Sequence, residues 1–131
     1  MAPTLVRGDK VLVDSKTFRL APPGRGDVIV FVAPGQPGNA PWISRVVAVA
    51  GDRVALSQGT VFIDGQPQAM PPGASPALGP GPGRDMDALT VPAGDVFVMG
   101  DNRDHAMDSR YFGTVPREKL VGRLVQVFRQ E

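Results

Sequence analysis

The chain has 131 residues, 42% of them hydrophobic, and 14 basic against 13 acidic side chains leave a formal charge of +1. That balance argues against a phosphate-backbone binder, so no nucleic acid partner is expected. There is no cysteine, which excludes a disulfide scaffold and a cysteine nucleophile, and the single histidine, His105, excludes a polyhistidine metal site.

Sixteen glycines and fourteen prolines are roughly twice the usual share for this length. They oppose a helical bundle and favour short strands joined by turns. Gly-Asp followed by β-formers recurs at Gly8-Asp9, Gly26-Asp27, Gly51-Asp52 and Gly94-Asp95. Gly accepts positive φ and the Asp carboxylate bonds nearby amides, so each pair reads as a turn that launches a strand.

In chain order, strands are predicted at Val11–Val13, at the continuously apolar Val28–Val32, and at the β-branched Trp42–Ala50. Arg53–Leu56 and Thr60–Ile63 flank Ser57-Gln58-Gly59, which reads as a three-residue hairpin loop. Val96–Met99 and Leu124–Phe128 complete the set. One helix is predicted, Pro116–Leu120, started by Pro and stopped by Gly122. Residues 33–41 read as a loop. Residues 66–87 hold six Pro and four Gly and read as a surface loop unable to extend a sheet, either a plain excursion or a flap over a partner. The fold class is therefore mainly β, with antiparallel sheets and one short helix near the C-terminus. The length suits one domain spanning 1–131. No signal-peptide pattern opens the chain, and its longest apolar run, Val28–Ala33, is far shorter than a membrane span. The chain as given is expected to be soluble.

The densest polar stretch, Met99 to Gly113, reads MGDNRDHAMDSRYFG. Three carboxylates in it suggest calcium, but an EF-hand loop needs Gly at its sixth position and Glu at its twelfth, where this chain has Ala106 and Phe112. A solvated charge run, a catalytic role and paired ions fixing a loop remain as readings. The placement between an apolar strand and an aromatic pair favours paired ions.

Gly100-Asp101-Asn102-Arg103-Asp104, then Asp108-Ser109-Arg110, Gly113 and Val115-Pro116, resembles the signature of type I signal peptidases. Met1-Ala2-Pro3-Thr4-Leu5, Arg25-Gly26-Asp27-Val28-Ile29-Val30-Phe31 and Ile43-Ser44-Arg45-Val46-Val47-Ala48 with Gly51-Asp52-Arg53-Val54 resemble three further family segments in order. The resemblance implies a signal peptidase I-like fold of antiparallel sheets. It implies a membrane-anchored serine endopeptidase, a hydrolase of protein secretion, acting at the extracytoplasmic face of the cytoplasmic membrane. Its partners are extended signal-peptide segments with small residues, and it needs no cofactor and no metal. The family uses a Ser nucleophile and a Lys general base. Lysine serves as a base only where burial disfavours its ammonium form.

The family places its nucleophilic Ser directly before the Met of Ser-Met-x-Pro-Thr-Leu, a position that precedes Met1 here, as does the oxyanion-hole residue. The family's Lys position corresponds to Ser44, and its orienting Ser corresponds to Ala106. The three lysines, Lys10, Lys16 and Lys119, match no base position. Ser44 as a displaced nucleophile lacks a base nearby in sequence. A non-catalytic relative, a pseudoenzyme, is therefore expected. The alternatives are a peptidase whose catalytic positions were altered, and a peptide-binding or scaffold protein for secreted or surface-protein assembly. By resemblance, Met1, Pro3, Leu5, Trp42 and Ile43 line a small apolar substrate pocket, with core packing the alternative for Trp42 and Ile43. Also by resemblance, Asp101 faces Arg45 and Asp108 faces Arg110.

Overall fold

The structure is a computed structural model that describes residues 10–15, 22–36, 38, 40–71, 74, 84–104 and 106–128. Ten strands form two sheets. In chain order they are β1 (Lys10–Asp14), β2 (Val28–Val32), β3 (Pro41–Val49), β4 (Arg53–Ser57), β5 (Thr60–Ile63), β6 (Gln66–Pro67), β7 (Met86–Thr90), β8 (Asp95–Met99), β9 (Val115–Pro116) and β10 (Leu120–Phe128). The larger sheet runs β1-β10-β2-β3-β8-β9 and the smaller β6-β5-β4-β7. Every pairing is antiparallel, as the short connections predict.

Three of the Gly-Asp pairs are among the described residues, and each Gly has positive φ: 92° at Gly26, 90° at Gly51 and 83° at Gly94. Asp27 accepts the Gly24 amide at 2.9 Å, and Asp52 accepts the Val49 amide at 2.9 Å. Asp95 accepts the Thr114 hydroxyl at 2.7 Å instead of an amide. The Gly8-Asp9 pair lies outside the described residues.

The central strands β3 and β8 separate two apolar clusters. Along β8, Val96 and Val98 enter one cluster and Phe97 and Met99 the other, the two-residue alternation of a strand buried on both faces. The first cluster joins them to Ile29, Phe31, Val46 and Val115. The second joins them to Val54, Leu56, Val61 and Ile63 of the smaller sheet. A register shift between Val46 and Ala48 changes which face β3 presents: Val46 packs in the first cluster, Val47 and Ala48 in the second. Counting back from Val46, Ser44 and Trp42 share the first face, and Arg45 and Ile43 the second.

Four sequence expectations need correction. The hairpin loop is the two residues Gln58-Gly59, both at positive φ (50° and 83°), since Ser57 pairs directly with Thr60. The stretch read as unable to extend a sheet contributes β6 and the start of β7, short edge strands where proline is tolerated. β10 begins at Leu120 and not at Leu124, because Gly122 is not a stop. A Cβ there would lie 2.5 Å from the Asp14 carbonyl oxygen, so glycine lets the β1 backbone approach. The helix predicted at Pro116–Leu120 is one 3₁₀ turn at Arg117–Lys119, whereas the single α-helical turn, α1, is Ser109–Phe112. No helix among the described residues is long and apolar enough to cross a membrane.

Candidate active site

After β8 the chain leaves the sheet at Gly100 and returns through α1. Two buried carboxylates fix this loop. Asp101, 0% exposed, accepts Arg45 Nε at 2.9 Å and Nη2 at 2.8 Å. The fork geometry uses both carboxylate oxygens, the strong form of this contact. Arg45 also donates to the Gly26 carbonyl at 3.0 Å, tying β3 to the turn before β2. The hydrogen bond to Asp101, more than charge alone, raises the Arg45 pKa despite burial.

Asp108 is the N-cap of α1 and accepts the Arg110 amide at 3.1 Å. It also takes Arg110 Nε at 2.8 Å and Nη2 at 2.9 Å, and the Gly100 amide at 3.0 Å. The side chains of this pair are 1% and 0% exposed. Ser109 accepts the Val98 amide at 2.9 Å, pinning α1 to β8. A third fork lies outside the polar stretch: Arg25 donates to Asp52 at 2.9 Å and 2.7 Å. The Arg25 hydrogen bond, aided by the Val49 amide, holds the Asp52 carboxyl below its usual range against the opposing effect of burial.

Ser44 is 3% exposed and sits opposite Ile29 of β2. Its neighbour Arg45 pairs with Met99, so Gly100 follows at this end of β3. Ala106 packs against Gly100 so closely that a Cβ on Gly100 would collide with the Ala106 methyl. Trp42 packs on the first cluster and meets the Phe112 ring edge-on, with centroids 5.8 Å apart. Ile43, half-buried, points to the opposite face. Met1, Pro3, Leu5 and His105 lie outside the described residues, as does Lys16. Lys119 is exposed on the 3₁₀ turn, and β1, which carries Lys10, is separated from β3 by β10 and β2.

β3 is paired unevenly. β2 pairs with all of Pro41 to Arg45, whereas β8 pairs only from Arg45 onward. Among the described strands, none covers the second edge of residues 41–44.

Sequence reasoning missed two features. Arg25 and Asp52 lie 27 residues apart and pair only in the fold. The buried Arg103, 4% exposed, has no hydrogen-bond partner for its Nε. Burial lowers its pKa, with repulsion from Arg110 adding to the effect.

The fold and site together define an antiparallel two-sheet β domain in which an arginine of the central strand is locked to the loop after the neighbouring strand. The family model for signal peptidase, peptidase S26, matches residues 1–129. The chain belongs to that family. It is 37% identical to a probable signal peptidase I-1 of Synechocystis sp., over 93% of this chain and 63% of that protein. It is 36% identical to a signal peptidase I of Leptolyngbya laminosa, over 98% and 64%. Similarity extends to thylakoidal processing peptidase 1 of Arabidopsis thaliana, 34% identical over 95% of this chain and 38% of that one. Among solved structures, a signal peptidase I of Enterococcus faecalis superposes with a TM-score of 0.58 at 27% identity, over 79% of this chain and 97% of that chain. The chain spans less than two thirds of the length of the curated relatives named here.

Proposed function

We propose that this chain uses the signal-peptidase scaffold to bind extended, signal-peptide-like segments and does not cleave them. The observation that carries this reading is Ser44: the strand position matching the family's lysine holds a buried hydroxyl. In the family's chemistry the serine nucleophile transfers its proton to a neutral amine as it attacks the peptide carbonyl. A serine hydroxyl has no comparable basicity, so that proton has no acceptor at this position. Ala106 agrees with this, because a methyl group cannot orient an amine. The reading does not depend on what precedes Met1.

Binding is supported by the edge at residues 41–44 that no described strand covers. An extended peptide adds there as a strand, through main-chain hydrogen bonds. Its side chains alternate as those of β3 do. Small residues two apart lie on the Trp42 face, and the residue between them lies on the Ile43 face. By family resemblance, the pocket would also include Met1, Pro3 and Leu5. By family, the place of action is the extracytoplasmic face of a membrane.

Titration of the purified chain with an Ala-x-Ala peptide, followed by fluorescence of Trp42, the single tryptophan, tests the binding. A saturable change with the peptide recovered intact is expected. A flat response up to millimolar peptide contradicts binding, and cleaved peptide contradicts inactivity.

A further inference from the structure

On the face of β3 opposite Ser44, a cavity of about 480 Å³ opens against β5 and the segment Gln68–Pro71. Four arginines line it: Arg25, Arg45, Arg84 and Arg103. Two are neutralised, Arg25 by Asp52 and Arg45 by Asp101. Arg84 and Arg103 have no such fork among the described residues. The Nε of each is buried and has no hydrogen-bond partner, and no carboxylate among the described residues forms an ion pair with either. Asp85, beside Arg84, turns its carboxylate to the Gln58 amide at 3.0 Å. Asp101 and Asp108 favour the Arg103 charge from a distance, Arg45 and Arg110 oppose it, and burial outweighs them all. Residues 72–83, which join the cavity-lining Pro71 to Arg84, contain no Asp or Glu.

A folded protein rarely buries a guanidinium without a partner, because the lost hydration must be replaced. Here the Nε atoms of two arginines lining one cavity are buried without a partner, and Arg103 is 4% exposed. We propose that this cavity binds a phosphate-class oxyanion, free or as the terminal group of a phosphate monoester. Four arginines against the two paired carboxylates Asp52 and Asp101 leave an excess of two positive charges around the cavity, which matches a dianion. Guanidinium forks match the tetrahedral oxygens better than ammonium groups do. Thr60 adds a neutral hydroxyl to the wall, and Met70 and Pro71 give an ester's organic part an apolar surface. The site lies on the face away from Ser44, so it stands or falls independently of peptide binding.

The test is a titration with inorganic phosphate, read by calorimetry and by thermal melting, with sodium chloride at matched ionic strength as control. The melting temperature is expected to rise with phosphate concentration and not with chloride, because a ligand of the folded state stabilises it. Arg84→Gln is expected to weaken phosphate binding about tenfold or more, the usual effect of losing a charge-assisted contact. Arg103→Gln should do the same. Arg84, less buried than Arg103, carries the test if the Arg103 variant fails to fold. Phenyl phosphate distinguishes the sources: equal affinity assigns the site to the free anion, and tighter binding assigns it to esters. Identical melting shifts with phosphate and chloride, or unchanged phosphate affinity in Arg84→Gln, would overturn the proposal.

Discussion

Ser44 and Arg45 are neighbours on β3 that face opposite ways, and the two faces differ in how much of the family's chemistry they hold. On the Arg45 face, the guanidinium and Asp101 form a fork and the loop after β8 is locked to the strand. On the Ser44 face stands a buried hydroxyl, at the position that the proposed reading matches to the family's base, and Ala106 lies at the same end of the strand. The difference separates what the scaffold requires from what the reaction requires. Buried ions hold the loop whether or not an amine is present.

The sharpest way to break this comparison is to remove the ions. Asp108→Ala deletes a helix cap, the acceptor for the Gly100 amide and a forked carboxylate partner of the buried Arg110 at once. A loss of about 3–5 kcal/mol is expected in denaturant unfolding. Asp101→Ala should cost less, about 3 kcal/mol, because Arg45 keeps its bond to the Gly26 carbonyl and 17% exposure. Asp85→Ala, an exposed loop carboxylate, should change stability by less than about 1 kcal/mol. Equal melting temperatures for Asp101→Ala and Asp85→Ala would remove the distinction between framework and surface charge.

A smaller effect concerns acid. The folded-state pKa of Asp52 is depressed by Arg25. Its contribution is therefore present above the ordinary carboxylate range, roughly pH 4, and is lost as pH falls through the depressed value. Asp52→Asn should flatten the acid limb of the stability profile, measured by melting between neutral pH and pH 2. An unchanged limb would show that this fork is not thermodynamically coupled to folding.

Much of the scaffold is legible because strand alternation and Gly-Asp turns are local signals. β2 and β5 match their predicted ends. β7 was hidden by the Pro/Gly-rich surroundings of Met86–Thr90, and α1 is too short for four residues to show a helical period. Gly122 reads as a terminator until its close contact with β1 is visible. Asp64-Gly65, at φ 52° and 82°, is a second two-residue hairpin turn that its Asp-Gly sequence signals. For the site, residue spacing alone left the carboxylates of the polar loop between several roles, and only the resemblance matched Asp101 and Asp108 to arginines. The unpartnered Nε atoms of Arg84 and Arg103 have no sequence signal at all, since they depend on which groups the fold brings near.

The central claim is that β3 offers no amine to take the nucleophile's proton. The direct measurement is cleavage of a signal-peptide substrate by the chain extended with a serine immediately before Met1, with and without Ser44→Lys and Ala106→Ser together. Turnover only in the doubly substituted protein is the predicted result. Turnover with Ser44 and Ala106 in place would contradict the account.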